Sequence, residues 1–389
     1  MLHGAIGPLP RLTDRDAAML PDYALRHGMV AFLPRVLPAL PDLPPGVRDR
    51  VEEEVREHAV STLRHASDLL TIVRHLTDSG IELVVLKGAV FSAWLYGDAG
   101  VRQFVDVDVL APERARLNAS NALEQIGFAR RIPSEAATAI YSGIGAWPLE
   151  RANCIRVDLH WRLAARRFPM PLTADAVLRQ AIPVRLGDHA VNAPAPAHAT
   201  VLALLHAAKH VWYALESILS IVLLTRRDDI DWTDVHHLVR RAGAIRAAAA
   251  GLRLARDVFG TPIPAVFTVD ARSAAVQRLC GSASAALCLP PGTFVDRWLE
   301  RRAHLAAFDC RIDRMQYDVR RLLEPTALDW DWLPIPAAFT PLYVPIRVVR
   351  LALGGLARAG GHLRVTDDAF ERKGREGREA SHTGRLRPR

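Results

Sequence analysis

A run of nine residues in strict alternation constrains this chain more than any other part of its sequence. Residues 103–111 read QFVDVDVLA, with valines at every second position and two aspartates between them. Because successive side chains of a strand point to opposite faces, Asp106 and Asp108 share one face with Phe104, while the valines share the other. We expect the valine face to pack inward. The run therefore predicts a strand that carries two carboxylates on one side.

Two carboxylates about 7 Å apart on one strand face repel each other unless a cation lies between them. Mg²⁺ prefers oxygen ligands and is commonly held by one or two carboxylates plus substrate phosphates, with Mn²⁺ as an alternative ion. Residues 155–161 (IRVDLHW) predict a second strand with Asp158 and His160 on one face. If the strands are neighbours, Asp158 joins Asp106 and Asp108 as a metal ligand and catalytic residue, placed to deprotonate an acceptor hydroxyl. A D-x-D pair is also common on a solvated outer face, and spacing alone leaves both interpretations open.

A strand, a turn and a helix precede the carboxylate strand. Residues 81–86 (IELVVL) end at Lys87-Gly88, and the helix-compatible AVFSAWLYG follows. The free backbone amides at the start of a helix favour an anion such as a triphosphate, and Lys87 adds a point charge. Lys87 and Gly88 are therefore predicted to bind nucleotide. The alternative is an ordinary turn with a surface lysine.

Four more basic side chains are candidates for nucleotide binding. Arg102 enters the carboxylate strand, and in LLHAAKHVW the residues His206, Lys209 and His210 share one helix face. Two histidines four residues apart can bind zinc, but the glutamate of an HExxH motif and a nearby third ligand are missing. We therefore favour phosphate contacts, or a helix face turned toward the cleft, over a metal site. A surface arginine and a solvated helix face are the alternatives.

The periodicity along the chain predicts four regions. Residues 1–79 have helical spacing with a Pro-rich break at 40–45, residues 80–187 alternate strands and helices, and residues 188–365 return to helical spacing, with 197–224 the most apolar stretch. Residues 366–389 predict a disordered basic tail. After position 370 the tail has seven basic and three acidic residues. Its net charge of 7 − 3 = +4 is half of the chain's net charge of +8. Because the folded body is only mildly basic, nucleic acid is the weakest candidate partner.

Composition narrows the class of protein. The four cysteines are scattered without CxxC pairs and no signal peptide is recognisable, which predicts reduced thiols in the cytoplasm. No stretch reaches the roughly 18 uninterrupted apolar residues of a membrane-spanning helix, and the best candidate, 343–356, carries Arg347 and Arg350. We therefore expect no transmembrane segment. The excess of arginine over lysine indicates a GC-rich bacterial coding bias.

These motifs together resemble the uncharacterised bacterial nucleotidyltransferase family of the DNA polymerase β-like superfamily. Residues 84–128 carry the family's LKG turn, a following LY, an arginine and the D-x-D strand. Four other segments match in order: ALRHGMVAFLPRVL, VDLHWRL, LLHAAKHVW and LDWDWLPIPAAFTPLYVPIRVVRL. Two departures stand out. Lys87-Gly88 replaces the Gly-Ser turn of better-known members of the superfamily, and Ser220 stands where the family tends to have an aspartate.

The resemblance implies an α+β fold, in which a mixed sheet is flanked by helices and by helical regions at both ends. It also implies Mg²⁺ at Asp106 and Asp108, a nucleoside triphosphate donor, and Asp158 in the third-carboxylate position. The expected activity is metal-dependent transfer of a nucleoside monophosphate to a hydroxyl-bearing acceptor, either a small molecule or a peptide or protein. The alternative is a catalytically silent nucleotide-binding or regulatory protein on the same fold.

Overall fold

Helices occupy the chain before its first strand. The computed structural model describes residues 12–293 and 296–359, so the predicted tail at 366–389 lies outside the described residues. The first helix begins where the Thr13 hydroxyl accepts a hydrogen bond from the backbone of Asp16, and it ends at Gly28 with a left-handed φ of 68°. The third begins at Pro45, the last residue of the predicted Pro-rich break. The N-terminal helices are α1 (Asp14–His27), α2 (Leu33–Val36) and α3 (Pro45–Asp78).

A mixed five-stranded sheet forms the centre of the chain. Its strands are β1 (Val84–Val85), β2 (Asp106–Leu110), β3 (Ala129–Arg130), β4 (Ala146–Glu150) and β5 (Arg156–His160), in the order β1-β2-β5-β4-β3. Only β2 and β5 pair in parallel, and the other neighbours are antiparallel. The valine-rich face of β2 packs with Leu69, Ile72 and Leu76 of α3 in one apolar core. The predicted α+β fold with a mixed sheet is confirmed.

Two strands are shorter than their sequence patterns predict. The amide of Ile81 still bonds to the carbonyl of Leu76 at the end of α3, so the strand predicted at 81–86 is reduced to the two residues of β1. The strand predicted at 103–111 starts only at Asp106. Val105 therefore lies outside it and is 49% exposed, while Val107 and Val109 are buried as expected. Alternation alone does not show where pairing begins.

Four helices and a hairpin surround the sheet. The hairpin packs on α4 and β1, and it extends across the predicted boundary at residue 187. The predicted division into regions remains a prediction. These elements are α4 (Ala89–Tyr96), α5 (Arg116–Gln125), α6 (Ser134–Ile140), α7 (Ala174–Arg179), β6 (Ile182–Leu186) and β7 (His189–Ala193).

The rest of the chain is helical, as predicted, but the apolar stretch at 197–224 is two helices. Val211 and Trp212 adopt left-handed φ values of 54° and 51°, which ends the first helix. Burial of the Trp212 side chain stabilises this unfavourable backbone. The helices are α8 (Pro196–Lys209), α9 (Leu215–Leu224), α10 (Trp232–Arg241), α11 (Ile245–Phe259), α12 (Thr268–Ala271), α13 (Ala274–Leu287), α14 (Arg297–Ala307), α15 (Arg311–Leu323), α16 (Ala327–Trp332) and α17 (Tyr343–Ala359).

A buried carboxylate joins the last two helices. Asp329 is fully buried, caps α16 through Thr326, and accepts from the guanidinium groups of Arg347 at 3.1 Å and Arg350 at 2.7 Å. Among the described residues, one stretch, Ala337–Gly354, is long and apolar enough to cross a bilayer by length and composition. It contains both of these paired arginines, which hydrocarbon would disfavour. The described part of the chain therefore has no clear membrane span.

Candidate active site

The parallel pairing of β2 and β5 sets two carboxylates side by side. Asp108 is the register partner of Asp158, and Asp106 is the register partner of Arg156. Adjacent strands lie about 4.8 Å apart, and alternate residues share a face, so all four side chains project from one side of the sheet. The side chains of Asp106 and Asp108 are only 8% and 4% exposed. Like charges this close and this buried require compensation.

Two protein cations supply part of that compensation. Lys87 Nζ lies 2.9 Å from Asp108 Oδ2 and 3.7 Å from Asp106 Oδ1. Arg156 contacts Asp106 and Asp158: its Nη2 lies 3.0 Å from Asp106 Oδ2, and its Nε lies 3.1 Å from Asp158 Oδ1. Burial disfavours charge on Lys87, but the carboxylates of Asp108 and Asp106 outweigh it and raise the pKa of Lys87. Burial likewise acts to raise the pKa of Asp108, yet Lys87 and the hydrogen bond from His160 lower it.

His160 completes the cluster. Its Nε2 lies 2.9 Å from Asp108 Oδ1 and its Nδ1 lies 3.1 Å from the carbonyl oxygen of Arg162. The Arg162 carbonyl oxygen can only accept, so Nδ1 carries a hydrogen, and Nε2 is the ring atom directed at Asp108. Ligand atoms of Asp108, Asp158 and His160 all lie within 4.8 Å of one another, a spacing that suits one metal ion. Asp106 is not a member of this group, and its carboxylate lies against Lys87 and Arg156.

The Lys87-Gly88 turn is built for a residue without a side chain. Gly88 has a φ of 71°, which L-residues rarely adopt, and it directly precedes α4. A Cβ there would lie 3.6 Å from the ring of Phe104 and 3.9 Å from the backbone oxygen of Asp106. Both distances are ordinary van der Waals contacts, so the backbone conformation, rather than a lack of space, favours glycine at this turn.

A cavity of about 140 Å³ adjoins the cluster. Lys87, Asp108 and His160 line it, together with side chains from α8, α9, α11, α14 and the segment after β5. Of the other predicted nucleotide-binding residues, Arg102, His206 and Lys209 also line it. Gly88, His210, Asp106 and Asp158 are outside this lining. The sequence patterns at 87, 102, 108 and 206–209 therefore converge on one space.

Arg102 is committed to an ion pair inside the protein. Its Nε lies 2.6 Å from Glu216 Oε1, and its guanidinium lies over the Phe91 ring. Glu216 Oε1 also accepts from Ser220 Oγ at 2.8 Å. Ser220 is the position at which the sequence departs from the family's aspartate. A carboxylate is nevertheless present next to it, supplied from one turn earlier on α9.

The basic face of α8 ends at the cavity. Lys209 is the last residue of that helix, and His210 caps it with its ring 4.5 Å from the ring of His206. Burial, followed by the nearby charges of His210 and Lys87, lowers the pKa of His206 well below its usual value. His206 is therefore neutral at neutral pH.

Two charged residues in this region escaped the sequence analysis. Arg156 stands two positions before Asp158, and the strand alternation already used for Asp158 and His160 would have placed it on the same face. Glu216 is the one acid within the apolar run LESILSIVLL, and a lone acid in a buried run needs a cationic partner. Nothing in the sequence identifies Arg102 as that partner.

His304 lines the same cavity and gives the protein a pH-dependent stability. Its Nε2 faces the Lys209 carbonyl oxygen at 2.8 Å, which can only accept, so in the neutral ring Nδ1 accepts from the Tyr317 hydroxyl, also at 2.8 Å. Burial lowers the pKa of His304 from 6.5 to about 4. Below pH 6.5 the unfolded chain binds a proton that the folded chain does not, so folding loses stability until the pH falls below about 4.

We expect this residue to remove about 2 kcal/mol of stability between about pH 7 and about pH 5. Urea unfolding of the wild type and of His304→Asn, which cannot titrate, measures the effect as a difference in pH dependence. His189→Asn, a change at an exposed histidine of β7, is the control and should keep the wild-type profile. Identical profiles for all three proteins would contradict the assignment.

Comparison with known proteins agrees with the sequence resemblance. The family model described as "Uncharacterised nucleotidyltransferase" matches residues 13–260. A search of curated proteins gives no match. Among solved structures, the solution structure of the antibiotic-resistance factor ANT(2'')-Ia is similar over 46% of this chain and 91% of its own, with 12% identity and a TM-score of 0.34. Because the family model spans most of the chain, including the sheet with all three aspartates, the chain belongs to the uncharacterised nucleotidyltransferase family.

Proposed function

We propose that this protein transfers a nucleoside monophosphate from a nucleoside triphosphate to a hydroxyl group, with a divalent metal ion held at the aspartate cluster. The observation that carries the proposal is the register of β2 and β5, which sets Asp108 opposite Asp158 on the face that also carries Asp106. Family membership supports the same reaction class. All four cysteines are free thiols, which favours a reducing compartment such as the cytoplasm.

The side chains of the cluster suit a hard divalent cation. Asp106, Asp108 and Asp158 offer carboxylate oxygens, which Mg²⁺ prefers, and the imidazole of His160 makes Mn²⁺ an acceptable substitute. A bound ion of this kind would stabilise the negative charge that develops on the transferring phosphoryl group. Three carboxylates face two protein cations, Lys87 and Arg156, so the local negative charge available to a free metal ion is small. We therefore expect the ion to bind with the triphosphate rather than before it.

The protein side chains divide the remaining work. Asp158 accepts the proton of the acceptor hydroxyl, whose oxygen attacks the α-phosphorus. The bond from that phosphorus to the bridging oxygen of the β-phosphate breaks, and pyrophosphate leaves. Lys87 and the amides after Gly88 hold the triphosphate, and Lys209 adds positive charge at the cavity.

The other predicted nucleotide-binding residues act by position. Neutral His206 is a potential hydrogen-bonding group within the cavity, and His210 supports it from the end of α8. The charge of Arg102 is already paired with Glu216. We therefore assign Arg102 the role of holding the cavity wall in position.

A second candidate is a protein that binds nucleotide without transferring it. The observation in its favour is that Lys87, Arg156 and His160 contact all three carboxylates. A panel of the four ribonucleoside triphosphates with Mg²⁺, followed by calorimetry and by an assay for released pyrophosphate, separates the two functions. Acceptor-dependent release of pyrophosphate supports transfer. Nucleotide binding with no release across small-molecule and peptide acceptors supports the second candidate.

Replacing Lys87 should change the affinity for a metal ion and the affinity for a nucleotide in opposite directions. Lys87→Met removes a cation that competes with the metal and that also serves the phosphates. Binding of Mn²⁺ alone should therefore tighten by about tenfold, while binding of a triphosphate with Mg²⁺ should weaken by about tenfold, each worth about 1.4 kcal/mol. Calorimetric titrations of both ligands measure the two changes. Lys209→Met is the matched control, because it should weaken triphosphate binding without tightening Mn²⁺ binding. A parallel loss of both affinities would contradict the role of Lys87.

A further inference from the structure

The cavity beside the aspartate cluster has walls of small and apolar side chains. Six alanines take part in its lining and leave the space that larger residues would fill. Phe168, Met170 and Phe308 add larger apolar side chains to the lining, and Phe168 packs edge-on against His304 with ring centroids 5.0 Å apart. The six alanines are Ala164, Ala199, Ala203, Ala208, Ala247 and Ala307.

Besides Lys87, Asp108 and His160, the lining has six polar side chains, of which His206 and Lys209 face the nucleotide-binding end proposed above and the other four are already hydrogen-bonded within the protein. Both ring nitrogens of His304 are used, by Tyr317 and by the Lys209 carbonyl. The Ser217 hydroxyl donates to the Ala214 carbonyl. Ser220 and Arg102 are joined to Glu216, as described above. These groups retain little capacity for a polar ligand.

A wall whose polar groups are already hydrogen-bonded discriminates between ligands. A nucleobase carries several donors and acceptors on its edges, and each one buried without a partner costs about 1–3 kcal/mol. An apolar group incurs no such cost and gains about 25 cal/mol for each Å² that it removes from water. The cavity of about 140 Å³ is also close to the size of an engineered apolar cavity of about 150 Å³ that binds benzene in another protein.

We propose that the cavity binds an apolar group of about one ring, and that this group belongs to the acceptor. That the ligand is an acceptor rests on the proposed function, and that it is apolar rests on the residues that line the cavity. The class of acceptor is an alcohol whose hydroxyl stands a short tether away from an aromatic or branched aliphatic group. With that group in the cavity, the hydroxyl reaches the polar end formed by Lys87, Asp108 and His160.

The test uses 3-phenylpropan-1-ol as the probe and the full chain as the protein. Ligand-observed NMR titrations measure its binding, with glycerol as the polar comparison. Ala203→Leu fills the cavity and should weaken probe binding by about tenfold or more, because the ring loses the space in which it is shielded from water. Ala197→Leu places the same change on the same helix, outside the lining, and should leave binding within about twofold of wild type. Met170→Ala enlarges the cavity and should strengthen binding of 3-(2-naphthyl)propan-1-ol.

A second titration tests whether the cavity holds a group of the acceptor or the nucleobase of the donor. It repeats the probe measurement with saturating Mg²⁺ and α,β-methylene ATP, a donor that cannot release pyrophosphate. Binding of the probe together with the donor supports an acceptor site. Competition between them assigns the space to the nucleobase and overturns the proposal, as does equal binding to the wild type and Ala203→Leu, or binding to neither. A failure of nucleotidyl transfer itself appears separately, as a wild type that releases no pyrophosphate with any acceptor.

Discussion

Replacing Asp108 with asparagine should lower Mg²⁺-dependent pyrophosphate release by about a thousandfold or more, a loss of about 4 kcal/mol in transition-state stabilisation. Lys87 and His160 both contact the carboxylate of Asp108, and Asp158 stands opposite it in the register of the two strands. Asparagine has nearly the same shape and still accepts a hydrogen bond, so the sheet should form. Initial rates at saturating nucleotide, measured beside circular dichroism, give the result.

The controls separate loss of chemistry from loss of structure. Asp188→Asn makes the same change in the exposed turn between β6 and β7 and should leave the rate unchanged. Asp106→Asn and Asp158→Asn should each also lower the rate, with Asp158→Asn losing about a hundredfold or more as expected for a general base. A folded Asp108→Asn variant with the wild-type rate would reject the proposed chemistry.

Asp329→Asn should be the most destabilising single change outside the site, with an expected cost of about 3–5 kcal/mol in the free energy of unfolding. The carboxylate is fully buried and balances two guanidinium groups, those of Arg347 and Arg350. Its removal takes away a carboxylate that both of these largely buried guanidinium groups contact. Urea unfolding at neutral pH measures the cost, and hydrogen exchange of the α17 amides shows whether the loss is local to that helix.

A neighbouring residue provides the matched control for this change. Asp331, two positions later, forms an ion pair with Arg131 at 2.6 Å, but the arginine side chain is 47% exposed. Solvent screens such a pair, so Asp331→Asn should cost less than about 1 kcal/mol. Similar losses for the two variants would show that burial of the Asp329 pairs is not what stabilises the end of the chain.

The local parts of the candidate site were accessible from sequence because they depend on short-range geometry. Strand alternation places Asp106 and Asp108 on one face whatever the rest of the fold does, and a glycine after Lys87 marks a turn with unusual backbone. The helical spacing of the first 79 residues likewise survives in α1 and α3. Each of these features is decided within a few residues.

The remaining features depend on partners distant in the chain. The register that sets Asp108 opposite Asp158 joins residues fifty positions apart, and two alternating strands do not reveal whether they pair or in which direction. Glu216 and Arg102 come into contact only when α9 packs against α4. The end of α8 at Val211 and Trp212 was hidden because tertiary packing of Trp212, and no glycine or proline, holds the backbone there.

The ammonium of Lys87 and the guanidinium of Arg156 also affect how the chain folds. A core whose acidic groups were neutralised only by ions from solution would depend on those ions to fold. Here the chain carries its own positive charges to that position, so we expect folding to need no divalent ion. Prolonged treatment with a chelator should accordingly leave the melting temperature unaltered.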